Sequence, residues 1–139
     1  MRKSAIGIVV VVVLISALLG CDPSIAGGSV SPPDWIMGKW DLKVGDTIIC
    51  TFSFTGDNVV LEVFSGNTAM GLDIKEANNS KTVTIKDSNP SLKKYVIEIS
   101  DTSTKEKLTY TFSLNDDGTF DFKQDYAGTV YSFQGFEKR

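Results

Sequence analysis

The sequence predicts an all-β fold, an antiparallel up-and-down meander of about 8–9 strands closed into a small barrel. Three observations carry this expectation. From Trp35 onward apolar residues recur at every second position, the period of a strand with one face turned to a core. The joins "TGDN", "SGNT", "ANNS", "DSNPS", "DTST", "NDDG" and "DYAG" are short and rich in turn formers, which makes sequence neighbours pair antiparallel. No stretch between them is long enough for a helical crossover. A β-sandwich is the alternative. It stands second because sandwiches need longer crossing connections, and because closure removes sheet edges.

The chain opens on Arg2 and Lys3, and from Ala5 to Gly20 every residue except Ser16 is apolar or glycine. This run of about 15 residues suits an export leader and falls short of the ~20 that a membrane span needs. Leu18-Leu19-Gly20-Cys21 resembles a bacterial lipobox. The resemblance implies a signal peptide over residues 1–20, cleaved before Cys21, whose thiol then carries a diacylglycerol. Each buried methylene contributes ~0.8 kcal/mol, so two or three acyl chains hold a protein on a bilayer. "DPSIAGGSVSPPD" (Asp22 to Asp34) follows, with Gly, Ser and Pro and few large side chains. Residues 21–34 therefore read as the lipidated cysteine and a flexible tether, and residues 35–139 as one domain.

Within that domain a short helical turn is expected near Pro33 to Met37, or around Ala69. "TIICTFSF" places Ile48, Cys50, Phe52 and Phe54 on one face, and "NVVLEVF" groups Val59, Leu61 and Val63. "GLDIK" gives Leu72 and Ile74; "TVTIK" gives Val83 and Ile85; "KYVIEIS" gives Tyr95, Ile97 and Ile99. "KLTYTFSL" gives Leu108, Tyr110, Phe112 and Leu114, "TFDFK" gives Phe120 and Phe122, and "VYSFQ" gives Tyr131 and Phe133.

In "WIMGKWDLK", Gly38-Lys39-Trp40 is a G-x-W on the expected first strand. A small apolar-inside meander beginning this way resembles the lipocalin-like, or calycin, group. The resemblance implies that Gly38 bends the chain into the barrel, that Trp40 plugs its closed end, and that a late basic residue, Lys138 or Arg139, packs over the indole. "LNDDGTFDF" is similar to a hairpin of bacterial lipocalin-like lipoproteins, with Asp117-Gly118 at the turn. Two features depart from the classical pattern. The domain, about 105 residues, is short. "VGDT" stands where a long lid loop would follow the first strand.

The inward set Phe52, Phe54, Leu61, Tyr95, Ile97, Tyr110, Phe112, Phe120, Phe122, Tyr131 and Phe133 either lines a ligand pocket or fills the interior, and so many rings favour filling. The absence of histidine removes the commonest general base and metal ligand. No catalytic residue, metal site or cofactor is expected, and Cys50 reads as an inert core thiol. "NDDG" is explained by a tight turn, since the rest of a calcium loop is missing. Without Arg2 and Lys3 the net charge moves from −3 to about −5, which argues against nucleic acid.

The expectation is a monomeric, non-enzymatic lipoprotein, lipid-anchored to a membrane of the bacterial cell envelope. It would bind a small hydrophobic ligand in the barrel or dock an envelope protein. The alternative is a β-barrel inhibitor of an envelope protease or lytic enzyme. Asp22 after the lipidated cysteine resembles an inner-membrane retention signal; inner and outer membrane both stay open.

Overall fold

A computed structural model describes residues 30–65, 68–79 and 83–139. The leader, Cys21 and the first part of the tether lie outside the described residues. A 3-10 turn over Asp34–Ile36 leads into β1 (Gly38–Val44), β2 (Thr47–Phe54), β3 (Val59–Ser65) and β4 (Thr68–Asp73). A short helix, α1 (Ile74–Asn78), precedes β5 (Val83–Ser91), β6 (Lys94–Asp101), β7 (Lys107–Leu114), β8 (Phe120–Tyr126) and β9 (Thr129–Lys138). The class is the expected one: nine strands, every paired neighbour antiparallel.

The strands lie in one sheet in the order β4-β3-β2-β1-β9-β8-β7-β6-β5. Each run, β1 to β4 and β5 to β9, is a meander in which sequence neighbours pair antiparallel. The first and last strands meet over a narrow joint, Trp40 opposite Lys138 and Asp41 opposite Glu137. The Arg139 N–H extends it by donating to the Lys39 carbonyl at 2.8 Å.

Full closure is not reached. Among the described residues β4 and β5 are the two edges, so the ribbon curls into an open half-barrel. The cause is topological. Following the antiparallel steps around the sheet from β4 to β5 leaves these two strands pointing the same way, and a tight turn cannot join them. The chain returns instead through α1, which packs against β3, β4 and β5.

Asp73 starts that return. Its Oδ1 accepts from the Glu76 N–H at 3.0 Å, a helix N-cap, and from Asn58 Nδ2 at 2.9 Å. Ala69 therefore lies in β4, and the helical turn expected around it forms five residues later, where "GLDIK" reads as strand. Ile74 is still buried, now from the helix.

Two register shifts correct the inward faces. One between Leu42 and Lys43 leaves Ile48 half-buried. The other lies between Phe120 and Phe122 on the β8–β9 pair, where Gly135 adopts φ 81°. This bulge puts Phe133 and Phe136 both inside, three positions apart, and leaves Tyr131 half-buried at the margin of the core. Leu114, also expected inside, is half-buried. The end of the stretch read as tether packs on the domain: Val30 and Pro32 are buried, and the Ser31 N–H donates to Asp87 Oδ2 at 2.7 Å.

Candidate functional site

Gly38, Lys39 and Trp40 open β1. Gly38 has φ 104°, a conformation that side chains avoid, and a Cβ there would stand 3.3 Å from Lys138 Cε. Two residues on, Trp40 is 2 % exposed, and its indole N–H donates to the Ile36 carbonyl at 2.7 Å. The 3-10 turn is thereby pinned over the end of the half-barrel. Lys138 Nζ lies 5.7 Å from the ring centroid, within cation–π range. Arg139 goes elsewhere: its guanidinium grips Asp41 with two bonds, Nε to Oδ2 at 3.0 Å and Nη2 to Oδ1 at 2.8 Å. The Thr51 hydroxyl adds a bond to Oδ1 at 2.7 Å. Burial works to raise the Asp41 carboxyl, but Arg139 and Thr51 outweigh it and hold the group below the ordinary carboxylate range.

The interior is occupied by rings. Phe52, Phe54, Leu61, Tyr95, Ile97, Tyr110, Phe112, Phe120, Phe122 and Phe133 are all buried, as expected; Tyr131 alone of the expected set is not. Phe52 sits at the centre, with Phe122 at 4.9 Å, Phe112 at 5.1 Å, Phe136 at 5.4 Å, Phe54 at 5.7 Å and Phe120 at 6.1 Å between centroids. Phe136 stacks on Phe120 at 4.7 Å. A strict period-two reading from Phe133 passes over Phe136. The glycine one position before it, inside a strand, is the signal of the bulge that brings it in.

The buried polar groups divide into satisfied and unsatisfied. The Tyr95 hydroxyl donates to Asp87 Oδ2 at 2.9 Å, and its titration is pushed up by burial and by that carboxylate. Tyr110 is pushed up by burial, and Cys50 by burial and then by Asp41, so the thiol is not activated. In the β7–β8 turn, Asp117 accepts from the Thr119 hydroxyl at 2.6 Å and its N–H at 3.0 Å, while Gly118 takes φ 86°. Those oxygens serve the turn. Among the described residues no group of three or more His, Cys, Asp or Glu is placed to hold a metal.

Outside, the sheet hollows into a groove of about 360 Å³ across β6, β7, β8 and β9. It lies beside the β9 bulge. Lys94 and Lys123 border it, with Ser113, Ser132 and Gln134 between them. Asp121 is fixed there: its Oδ1 accepts from Asn115 Nδ2 at 2.9 Å and from the Gly135 N–H at 3.1 Å. The sequence marks Phe122 and Phe133 as the rings beneath and reads Asp121 as one of several solvated acidic residues around the β7–β8 hairpin; it does not reveal the groove, because polar residues on a solvent face carry no distinguishing pattern.

At one end of the sheet the β5–β6 hairpin turns through Leu92 and Lys93, and Leu92 is 93 % exposed. Comparison of the chain with protein-family models, curated proteins and solved structures finds no match to any of them.

Proposed function

We propose that this chain is a lipid-anchored, non-enzymatic protein of the bacterial envelope, of lipocalin-like type, which works by docking a protein partner on its outer wall. The observation that carries the reading is the interior, where Phe52 touches five other rings and the space a hydrophobic guest would use is occupied by side chains. The "LLGC" run before the tether supports the anchor. The outer groove supplies the contact surface, and Lys94 and Lys123 beside it suit an acidic, extended segment of the partner.

The test has two arms. Acyl-chain labelling of the full chain should be lost in Cys21→Ala. A fluorescent glutamate-rich peptide should bind the domain saturably and weaken tenfold or more in Lys94→Glu/Lys123→Glu. A co-purified lipid in native mass spectrometry, with no peptide binding, sinks the docking reading. The inhibitor reading is favoured by one observation, the apolar Leu92 on a protruding hairpin tip. It would show as a lytic enzyme inhibited by the domain but not by Leu92→Asp.

A further inference from the structure

One row inside the half-barrel breaks the hydrocarbon pattern. The inward positions of β8 run Phe120, Phe122, Gln124. Gln124 is 0 % exposed, and neither its Oε1 nor its Nε2 has a protein partner. Directly opposite on β7 stands Tyr110, 1 % exposed, whose hydroxyl is also unpartnered. Ile97 continues the row on β6, and the Cys50 thiol of β2 is near enough to act on the Tyr110 titration.

An unpaired buried amide or phenol costs about 1–3 kcal/mol, whereas an apolar residue of similar shape at the same place costs nothing of the kind. Two such groups facing one another across a strand pair therefore point to a shared third party. It must both donate and accept, since the amide offers two N–H donors and a carbonyl and the phenol offers one O–H and its lone pairs. It must also be small, because the interior around the two groups is packed with side chains. It should be uncharged, since Tyr110 and Gln124 are both neutral and the one carboxylate of the row, Asp87 on β5, already accepts from the Tyr95 hydroxyl and the Ser31 N–H. Water meets all three conditions and makes on the order of three bonds in such sites.

We propose that Tyr110 and Gln124 form an internal water-binding site, with an ordered water bridging the Tyr110 hydroxyl and the Gln124 amide. The site is independent of the outer groove and of any anchor at Cys21.

Water–protein NOE spectroscopy on the isotope-labelled domain tests this. The Gln124 side-chain N–H₂ should show a cross-peak to a long-lived water, and Tyr110→Phe, which removes one oxygen, should weaken it severalfold. Urea unfolding of Tyr110→Phe, Gln124→Leu and the double variant is the second measurement. Each single change should lower the midpoint, and the double should lose less than their sum. An amide with no water cross-peak overturns the proposal, as does a midpoint that rises in Gln124→Leu. If Gln124→Leu does not fold, the cross-peak and its response to Tyr110→Phe decide alone.

Discussion

Truncating Phe52 to alanine is the sharpest test of a filled interior. The ring is fully buried and meets five others, two of them edge-on: Phe122 at 4.9 Å and Phe112 at 5.1 Å. Removing its apolar surface from the core forfeits about 1.5–3 kcal/mol. Each edge-to-face pair adds about 0.5–1.5 kcal/mol, so a loss of about 3–5 kcal/mol is expected, the usual range for a buried Phe→Ala change. Against a total stability of about 5–15 kcal/mol this is a large fraction. Urea unfolding followed by tryptophan fluorescence reads it directly. With a slope of about 1–3 kcal/mol per molar urea, the midpoint should fall by roughly 2 M. Tyr131→Ala is the internal comparison, because the half-buried ring lies at the margin of the same core. It should cost about 1 kcal/mol. If Phe52→Ala costs no more than Tyr131→Ala, the rings surround a void or a guest, and the argument against a lumen falls.

Gly38→Ala should lower stability by about 1–3 kcal/mol through its left-handed φ, while Gly56→Ala, where a Cβ meets nothing within 4 Å, should leave the urea midpoint nearly unchanged. Equal effects would remove the special role of Gly38. The Asp41–Arg139 pair gives a pH signature. Asp41 titrates below the ordinary value of 3.8 in the folded chain, so the pair's contribution is complete above that value and is lost as pH falls through the lowered one. Thermal unfolding followed by circular dichroism should therefore fall more steeply below about pH 4 in the wild type than in Asp41→Asn. Parallel profiles would refute the assignment.

Much of the wall is legible in the sequence because alternation and turn chemistry are local. "KYVIEIS" and "KLTYTFSL" pair antiparallel with their inward sets as read, and the register sets Tyr95 opposite Phe112 and Ile97 opposite Tyr110. Asp117-Gly118 makes its turn because a positive φ is needed there. Three features escape that reading for physical reasons. The helix after β4 is too short to show a helical period; its only trace is Asp73 followed three residues later by Glu76, the pattern of an N-terminal cap. Phe136 is hidden by the extra residue at Gly135, which shifts the phase by one. Gln124 stands in phase with Phe120 and Phe122, yet its amide suggests the solvent face. Keeping the phase and distrusting the polarity would have placed it inside. The outer groove draws its residues from four strands, and no stretch of one strand encodes it.

The count of strands has a mechanical consequence. Antiparallel neighbours can ring a barrel only in even number, and the described residues form nine strands, so α1 takes the place of a tenth stave between β4 and β5. Opposite it, the β1–β9 joint holds over two residue pairs and the Arg139 N–H. The molecule is thus closer to a clasp than to a cask: two antiparallel leaves, β1–β4 and β5–β9, joined by a narrow ladder on one side and packed on a short helix on the other.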